Sequence, residues 1–396
     1  MVSVNLKKPY IIAGKSFYKT FIEDLLKKAN IKVNGSKPWD LTVHHESFYE
    51  QVFVDGSLGL GESYMDGAWE CKQLDECMFR IIRADLASSV SLNLRTMFYF
   101  LKAKIMNLQS VDKADEVAKK HYDIGNDLYE AMLDKRMIYT CADWSHATTL
   151  DAAQEDKLDL ICKKLRLKPG QRILDIGCGW GGFARVAAER YGVEVVGITV
   201  SKEQAKRAKE ICAAFPVEIR VQDYRSLDET FDHVVSIGMF EHVGYKNYGT
   251  YMQVVHRVLK DKGLFLLRCI GSNHSVARAD PWINKYIFPN GMNPSITQIG
   301  KAIEKKFIME EWRNMGLFYD RTIMEWMKRF KSAWPKLRAN YDDRFYKMWI
   351  YYLACSAASF RAKTNNLWEI VFSKHGDLSP YPLLIKEKAN LLESIS

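Results

Sequence analysis

The sequence predicts a doubly wound α/β fold whose parallel sheet carries a late helical lid and follows a small N-terminal mixed α/β domain. Three observations predict it. From Asp151 onward, apolar strand-like runs alternate with amphipathic helices. The first of these strands opens directly into a glycine-rich turn, the arrangement of a Rossmann-like ligand loop. After Ile270 the alternation stops and Trp-bearing helical stretches take over.

In chain order, residues 1–108 form the N-terminal domain, expected to engage lipid. It has a helical stretch from Phe21 to Asn30, a glycine-punctuated segment from Val54 to Gly67, and apolar helices between Leu74 and Leu108. Residues 109–120, QSVDKADEVAKK, are polar and highly charged and read as a linker. Residues 121–396 form the main domain. A helix runs through Leu167, followed by the strand Arg172–Ile176, a glycine loop, a helix to Tyr191 and the strand Val193–Val200. Further strands are expected at Val217–Val221, Phe231–Ile237 and Gly263–Ile270. Residues from about 272 to 362 read as a mainly helical insertion before a last strand, Trp368–Phe372.

The composition narrows the class. With 396 residues, 47% hydrophobic and 27% charged, the chain has the make-up of a globular protein and length for two to three domains. The longest uncharged apolar run, Trp349 to Phe360, is short of the roughly 18 residues of a membrane span. The start, MVSVNLKKPY, has no signal-peptide core, and the 8 cysteines show no CxxC spacing, so a reducing cytoplasm is expected. Of the net charge of +9, +7 falls in residues 281–396. A basic, aromatic-rich end suits nucleic acid, the anionic headgroups of a cytoplasmic leaflet, or a merely solvated face.

Leu174-Asp-Ile-Gly-Cys-Gly-Trp-Gly-Gly-Phe183 is the sharpest local signal, with Asp175, Gly177, Cys178, Gly179, Trp180 and Gly181 as candidate ligand residues. The spacing differs from the GxGxxG of a pyrophosphate cradle, and Trp180 would crowd a phosphate. A nucleoside without phosphates is preferred, and S-adenosylmethionine is such a ligand. At the end of the second strand no carboxylate is present, but Thr199 and Gln204 offer hydrogen bonds. Ser201 equally fits a helix N-cap, with Gln204 closing a capping box. Gln222, Asp223, Tyr224 and Arg225 follow the third strand, where adenine should lie, or form a surface turn. The fourth strand leads into Gly238-Met-Phe-Glu-His-Val-Gly244, which puts Glu241 at the sheet edge where open α/β folds bind substrates. Glu241 is a candidate for chemistry or for a helix N-terminal charge, and His242 is read as a packed histidine.

Together with Gly56-Ser-Leu-Gly-Leu-Gly-Glu-Ser-Tyr-Met-Asp-Gly67, His121-Tyr-Asp-Ile-Gly-Asn126 and Asp280-Pro-Trp-Ile-Asn-Lys-Tyr-Ile-Phe-Pro-Asn-Gly291, these motifs run over nearly the whole chain. In them the sequence resembles the cyclopropane-fatty-acid synthases, most closely the bacterial phospholipid-modifying type. The resemblance implies an S-adenosylmethionine-dependent methyltransferase sheet. It also implies a reaction in which a cis double bond of a phospholipid acyl chain receives a methylene from the cofactor. A carbocation forms on the way, and bound bicarbonate removes the proton. By motif, Tyr139 and Thr140 would lie beside the cofactor, and Cys141, Glu241, Tyr319 and the backbone amide of Ile270 beside bicarbonate. No metal is implied.

Two positions depart from the family pattern. Arg268 stands where the family has histidine, and Ser356 where it has cysteine. Cys355 lies one residue early, about 100° around a helix, and reads better as a small buried residue. Arg268 is expected to help hold bicarbonate; pairing with Glu241 and pointing to solvent are the alternatives. The rival functions are a methyltransferase acting on another lipid or a small molecule, and a lipid-binding protein with a decayed site. The partner expected is a phospholipid membrane surface, met from the cytoplasmic side, with no nucleic acid and with a homodimer among the assemblies open to the chain.

Overall fold

The computed structural model describes residues 15–86, 125–276 and 279–377. The expected linker, the helices placed after Leu86, residues 121–124 of the His121–Asn126 motif and the last 19 residues (378–396) lie outside the described residues.

The N-terminal elements are α1 (Lys15–Lys28), β1 (Thr42–Val43), α2 (Ser47–Asp55), α3 (Ser57–Met65), β2 (Trp69–Glu70) and α4 (Leu74–Arg83). The glycine-punctuated segment is therefore largely a helix. Glycine is a poor helix former, and packing explains its presence: a side chain on Gly61 would collide with the indole of Trp282, which is 1% exposed. Trp69 pins the same helix by donating from Nε1 to the Leu60 carbonyl at 3.1 Å.

The main domain begins with α5 (Asn126–Met132) and α6 (Leu150–Lys164), then alternates β3 (Arg172–Ile176), α7 (Gly182–Tyr191), β4 (Glu194–Thr199), α8 (Lys202–Cys212), β5 (Val217–Val221), β6 (His233–Ile237), α9 (Tyr248–Val258) and β7 (Leu264–Ser272). There follow α10 (Pro281–Tyr286), α11 (Ile296–Ile303), β8 (Ile308–Asn314), α12 (Gly316–Leu337), α13 (Asp343–Arg361) and β9 (Asn365–Ser373). The sheet order is β5-β4-β3-β6-β7-β9-β8. The first five strands are parallel, and β9 and β8 are antiparallel to their neighbours. Both faces are covered, so the central strands are nearly continuous apolar runs. Ile173, Val195, Val235 and Leu266 pack with α6 and α7, while Leu174, Val196, Val234 and Leu267 pack with α9 and α11. The strand order reverses between β3 and β6, which opens a crevice at their carboxyl ends.

The stretch 272–362 is mainly helical and also contains the edge strand β8. Its sequence, IMEEWRN, is charged and partly exposed and is broken by a bulge between Met309 and Glu311. Edge strands tolerate such charge, and no apolar alternation marks them. The N-terminal segment also shares its core with the late helices: Ile22, Phe48, Trp69 and Cys77 belong to one hydrophobic cluster with Trp326, Trp349 and Ala354. Arg361 of α13 reinforces the joint, reaching Asp75 of α4 at 3.0 Å and Asp320 of α12 at 3.0 Å. The Asp280-Pro-Trp motif begins α10, with Asp280 accepting from the Trp282 amide at 2.9 Å and Pro281 in the first turn.

Candidate active site

A cavity opens at the carboxyl ends of β3, β4 and β6. Every candidate cofactor residue except Gly181 lines it. Gly177 and Gly179 have φ values of 84° and 54°, a region that favours glycine. Nothing lies within 4 Å of where a Gly179 side chain would begin, so its missing side chain leaves room for a ligand. Gly181 does not line the cavity, and a side chain there would meet Cys212 Sγ of α8 at 2.9 Å.

At the end of β4, Thr199 Oγ1 donates to Gln204 Oε1 at 3.0 Å, and Ser201 Oγ accepts from the Gln204 amide at 3.3 Å. Ser201 is thus a cap, but the box stays open because the Gln204 side chain turns to Thr199 and the cavity. Beyond β5, Asp223 accepts from the Arg225 amide at 2.9 Å and pairs with its guanidinium at 3.1 Å. The turn is locally held and also faces the cavity. Asp175 is buried, and burial pushes its carboxyl up to about 7. Trp180 forms a wall, its ring 5.0 Å from Tyr129 and its Nε1 donating to Asn126 Oδ1 at 3.3 Å. The open cradle at Gly179, with polar groups at the ends of two neighbouring strands, fits a nucleoside.

Tyr139 and Thr140 line the same cavity. The Tyr139 hydroxyl is 2.9 Å from that of Tyr352, and its ring is 5.1 Å from Trp326. Tyr319 lies against the same indole at 5.9 Å and against Phe360 at 4.6 Å. His242, at the cavity wall, has Phe288 at 5.6 Å, and Phe288 in turn meets Tyr352 at 6.1 Å. The result is a packed aromatic cluster that meets the cavity at Tyr139 and His242. The Cys141 thiol donates to the Ala142 carbonyl at 3.2 Å, and burial pushes it up to about 12 although Arg268 pulls the other way.

Glu241 is buried, and its Oε1 accepts from the Ile270 amide at 2.6 Å. Burial raises its carboxyl to about 7 against the pull of that hydrogen bond. Its Oε2 is buried and has no hydrogen-bond partner among the described residues. The Ile270 amide, implied for an ion, is thus engaged by Glu241. Arg268 neither pairs with Glu241 nor points to solvent. It is 2% exposed, with Nε 3.1 Å from Glu369 on the adjacent β9, where the two residues sit directly opposite. Lys164 reaches the other oxygen of Glu369 at 2.7 Å, so the strand pair carries its own counter-ion. Arg268 Nη1 is buried without a hydrogen-bond partner among the described residues.

Cys355 is not brought to this group. It interacts with Tyr351 and Cys77 in the core shared with α4, and burial raises its thiol. Ser356 accepts from Ser359 Oγ at 2.8 Å through its carbonyl. The sequence reading passed over Lys157 of α6, fully buried with Nζ 2.8 Å from Thr140 Oγ1. Its signal was present: Lys157 shares a helix face with Ala153, Ile161 and Lys164, all buried.

The model of the mycolic acid cyclopropane synthetase family matches residues 109–370. The chain belongs to this family. It is 51% identical over 351 residues to the cyclopropane-fatty-acyl-phospholipid synthase of Escherichia coli K12, covering 89% of this chain and 92% of that relative. It is 38% identical over 272 residues to a probable fatty acid methyltransferase of Pseudomonas putida, covering 65% of this chain and 69% of that one. Among solved structures, the cyclopropane synthase MmaA2 of Mycobacterium tuberculosis superposes with a TM-score of 0.62 at 28% identity, covering 65% of this chain and 98% of that one. A mycolic acid cyclopropane synthase, CmaA1, solved with SAH and CTAB, gives a TM-score of 0.62 at 30% identity with the same coverage. As a member of this family, the chain is an S-adenosylmethionine-dependent methyltransferase.

Proposed function

We propose that this chain converts a cis double bond of an unsaturated phospholipid acyl chain into a cyclopropane. The observation that carries the reading is the cofactor cavity meeting, at Tyr139, a cluster of aromatic rings that includes Tyr352 and Phe288. Bound S-adenosylmethionine supplies the methyl carbon as an electrophile. An unactivated alkene is a weak nucleophile, so the protein's task is to exclude water and align the chain. Tyr139, which lines the cavity with Trp326 packed against it and Tyr319 beyond, would offer an aromatic ring to the positive charge that develops on the acyl carbons.

Ring closure needs a proton acceptor. Among the described residues Glu241 Oε2 and Arg268 Nη1 are each buried without a hydrogen-bond partner, and a guanidinium fork suits a planar oxyanion. These residues would hold bicarbonate, which when bound supplies the base. With its carboxyl near 7, Glu241 has a neutral fraction that donates a hydrogen bond to such an ion.

The proposed partner is a phospholipid surface, met electrostatically through the +7 of residues 281–396. Among the described residues no helix is long and apolar enough to cross a membrane. The test is to offer purified protein S-adenosylmethionine with vesicles of unsaturated or saturated phospholipid, or with soluble amine and catechol acceptors. Lipid modification confined to the unsaturated vesicles supports the reading; transfer only to soluble acceptors overturns it.

A further inference from the structure

Residues 138–141 run along the wall between the cofactor cavity and the buried thiol of Cys141, and α6 grips this strip from behind. Gln154 donates from Nε2 to the carbonyls of Thr140 at 2.9 Å and Ile138 at 3.3 Å. One turn later Lys157 places Nζ 2.8 Å from Thr140 Oγ1. On the other side, the Thr140 methyl fills the space left by Gly238, where a side chain would lie 2.7 Å from Cγ2. Thr140 is therefore fixed at its carbonyl, hydroxyl and methyl. Gln154 and Lys157 are both fully buried. A lysine is rarely taken out of water without a task for its head group, and the mechanism above does not use this one.

We infer that Lys157 is a positioning residue of the transfer site, holding the Thr140 hydroxyl so that Tyr139 and Thr140 face the cofactor cavity. The groups around its amine are Asp134 before the strip, Cys141 within it, Arg268 on β7 and Glu369 on β9, with Asp175 of β3 lining the same cavity. Burial, aided by Arg268, brings the amine down to about 7, with Asp134, Cys141 and Glu369 opposing. A lysine loses its charge as pH rises through that value. The sulfonium cofactor is a cation and meets one positive charge fewer in the wall at higher pH, so its affinity rises from pH 6 to pH 8. Ionisation of Asp175 acts in the same direction, which is why the comparison must be made against a variant without the amine.

The inference rests on the methyl-transfer reading, and the experiment separates the two. S-adenosylmethionine binding without lipid is followed by calorimetry across that pH range in the wild type, Lys157→Met, Thr140→Val and the double variant, and lipid turnover is measured in parallel. The pH dependence of affinity should be shallower in Lys157→Met than in the wild type. Each single variant should lower kcat/KM about tenfold, the weight of one buried hydrogen bond to a charged group, and the double variant should lose no more. Equal pH slopes, or single losses that multiply in the double variant, would overturn the role. Should Lys157→Met fail to fold, Thr140→Val removes only the partner hydroxyl, and unchanged kcat/KM in that variant overturns it alone. Wild-type protein that binds the cofactor but leaves lipid unchanged refutes the methyl-transfer reading and leaves the binding comparison intact.

Discussion

Replacing Glu241 by glutamine should make the protein more stable, increasingly so as pH rises. The carboxyl is buried, and its ionisation is raised from the ordinary 4.5 to about 7. The sign follows from linkage. Below about pH 4 both the folded and unfolded forms are protonated and burial of the charge costs nothing. Between 4.5 and 7 the unfolded chain ionises while the folded one resists, so stability falls as pH rises, and above 7 the full penalty is present. At about 1.36 kcal/mol per unit, the penalty is under 1 kcal/mol near pH 5 and approaches about 3 kcal/mol by pH 8. Glutamine keeps an oxygen for the Ile270 amide and carries no charge, so it escapes the penalty. Urea unfolding of the wild type and Glu241→Gln at pH 5 and pH 8 should show a stability gap that widens by about 2 kcal/mol. A gap independent of pH would refute the claim that a charged carboxylate is held there at a cost.

Other outcomes follow from the same geometry. Gly179→Val should weaken S-adenosylhomocysteine binding at least about 100-fold by calorimetry, because the branched side chain enters the ligand's space, while the left-handed backbone costs the fold about 1–2 kcal/mol. Arg268→Ala should destabilise the protein by about 3 kcal/mol in denaturant unfolding, since buried Glu369 loses one of its two ion-pair partners, and should raise the bicarbonate concentration needed for activity. Cys355→Ala should leave kcat/KM within about twofold, its thiol being part of the core near α4. Co-sedimentation with anionic vesicles should weaken with salt, as exposed charges are screened over about 8–10 Å; binding that ignores lipid charge and salt would favour apolar contact, for which exposed Phe17 and Val54 are the nearest candidates.

The parallel half of the sheet was legible because strands buried on both faces are nearly continuous apolar runs, and β3 and β5 end at the residues expected. The cofactor residues were legible for a related reason: a strand, a glycine turn and a helix in succession leave few conformations open. Edge strand β8 was not legible, since exposure removes the apolar pattern and a bulge breaks the alternation. Helix α3 was hidden by its glycines, of which Gly61 has its reason far away in sequence, at Trp282. Around Glu241 the elements were legible and the partners were not. The register that sets Arg268 opposite Glu369 depends on β9 returning antiparallel, a pairing that local sequence does not encode. Lys157 was missed because a charged residue reads as solvated until its helix face is known.

The most direct test of ring formation is isotopic. Purified protein, vesicles of a cis-unsaturated phospholipid and S-adenosylmethionine deuterated at its methyl group are incubated together, and the lipid is analysed by mass spectrometry. The account predicts that the acyl chain gains one carbon with two of the three deuterons, the third being lost to the base, with its count of rings plus double bonds unchanged. Retention of all three deuterons in the lipid would mean methylation without closure through the new carbon and would contradict it.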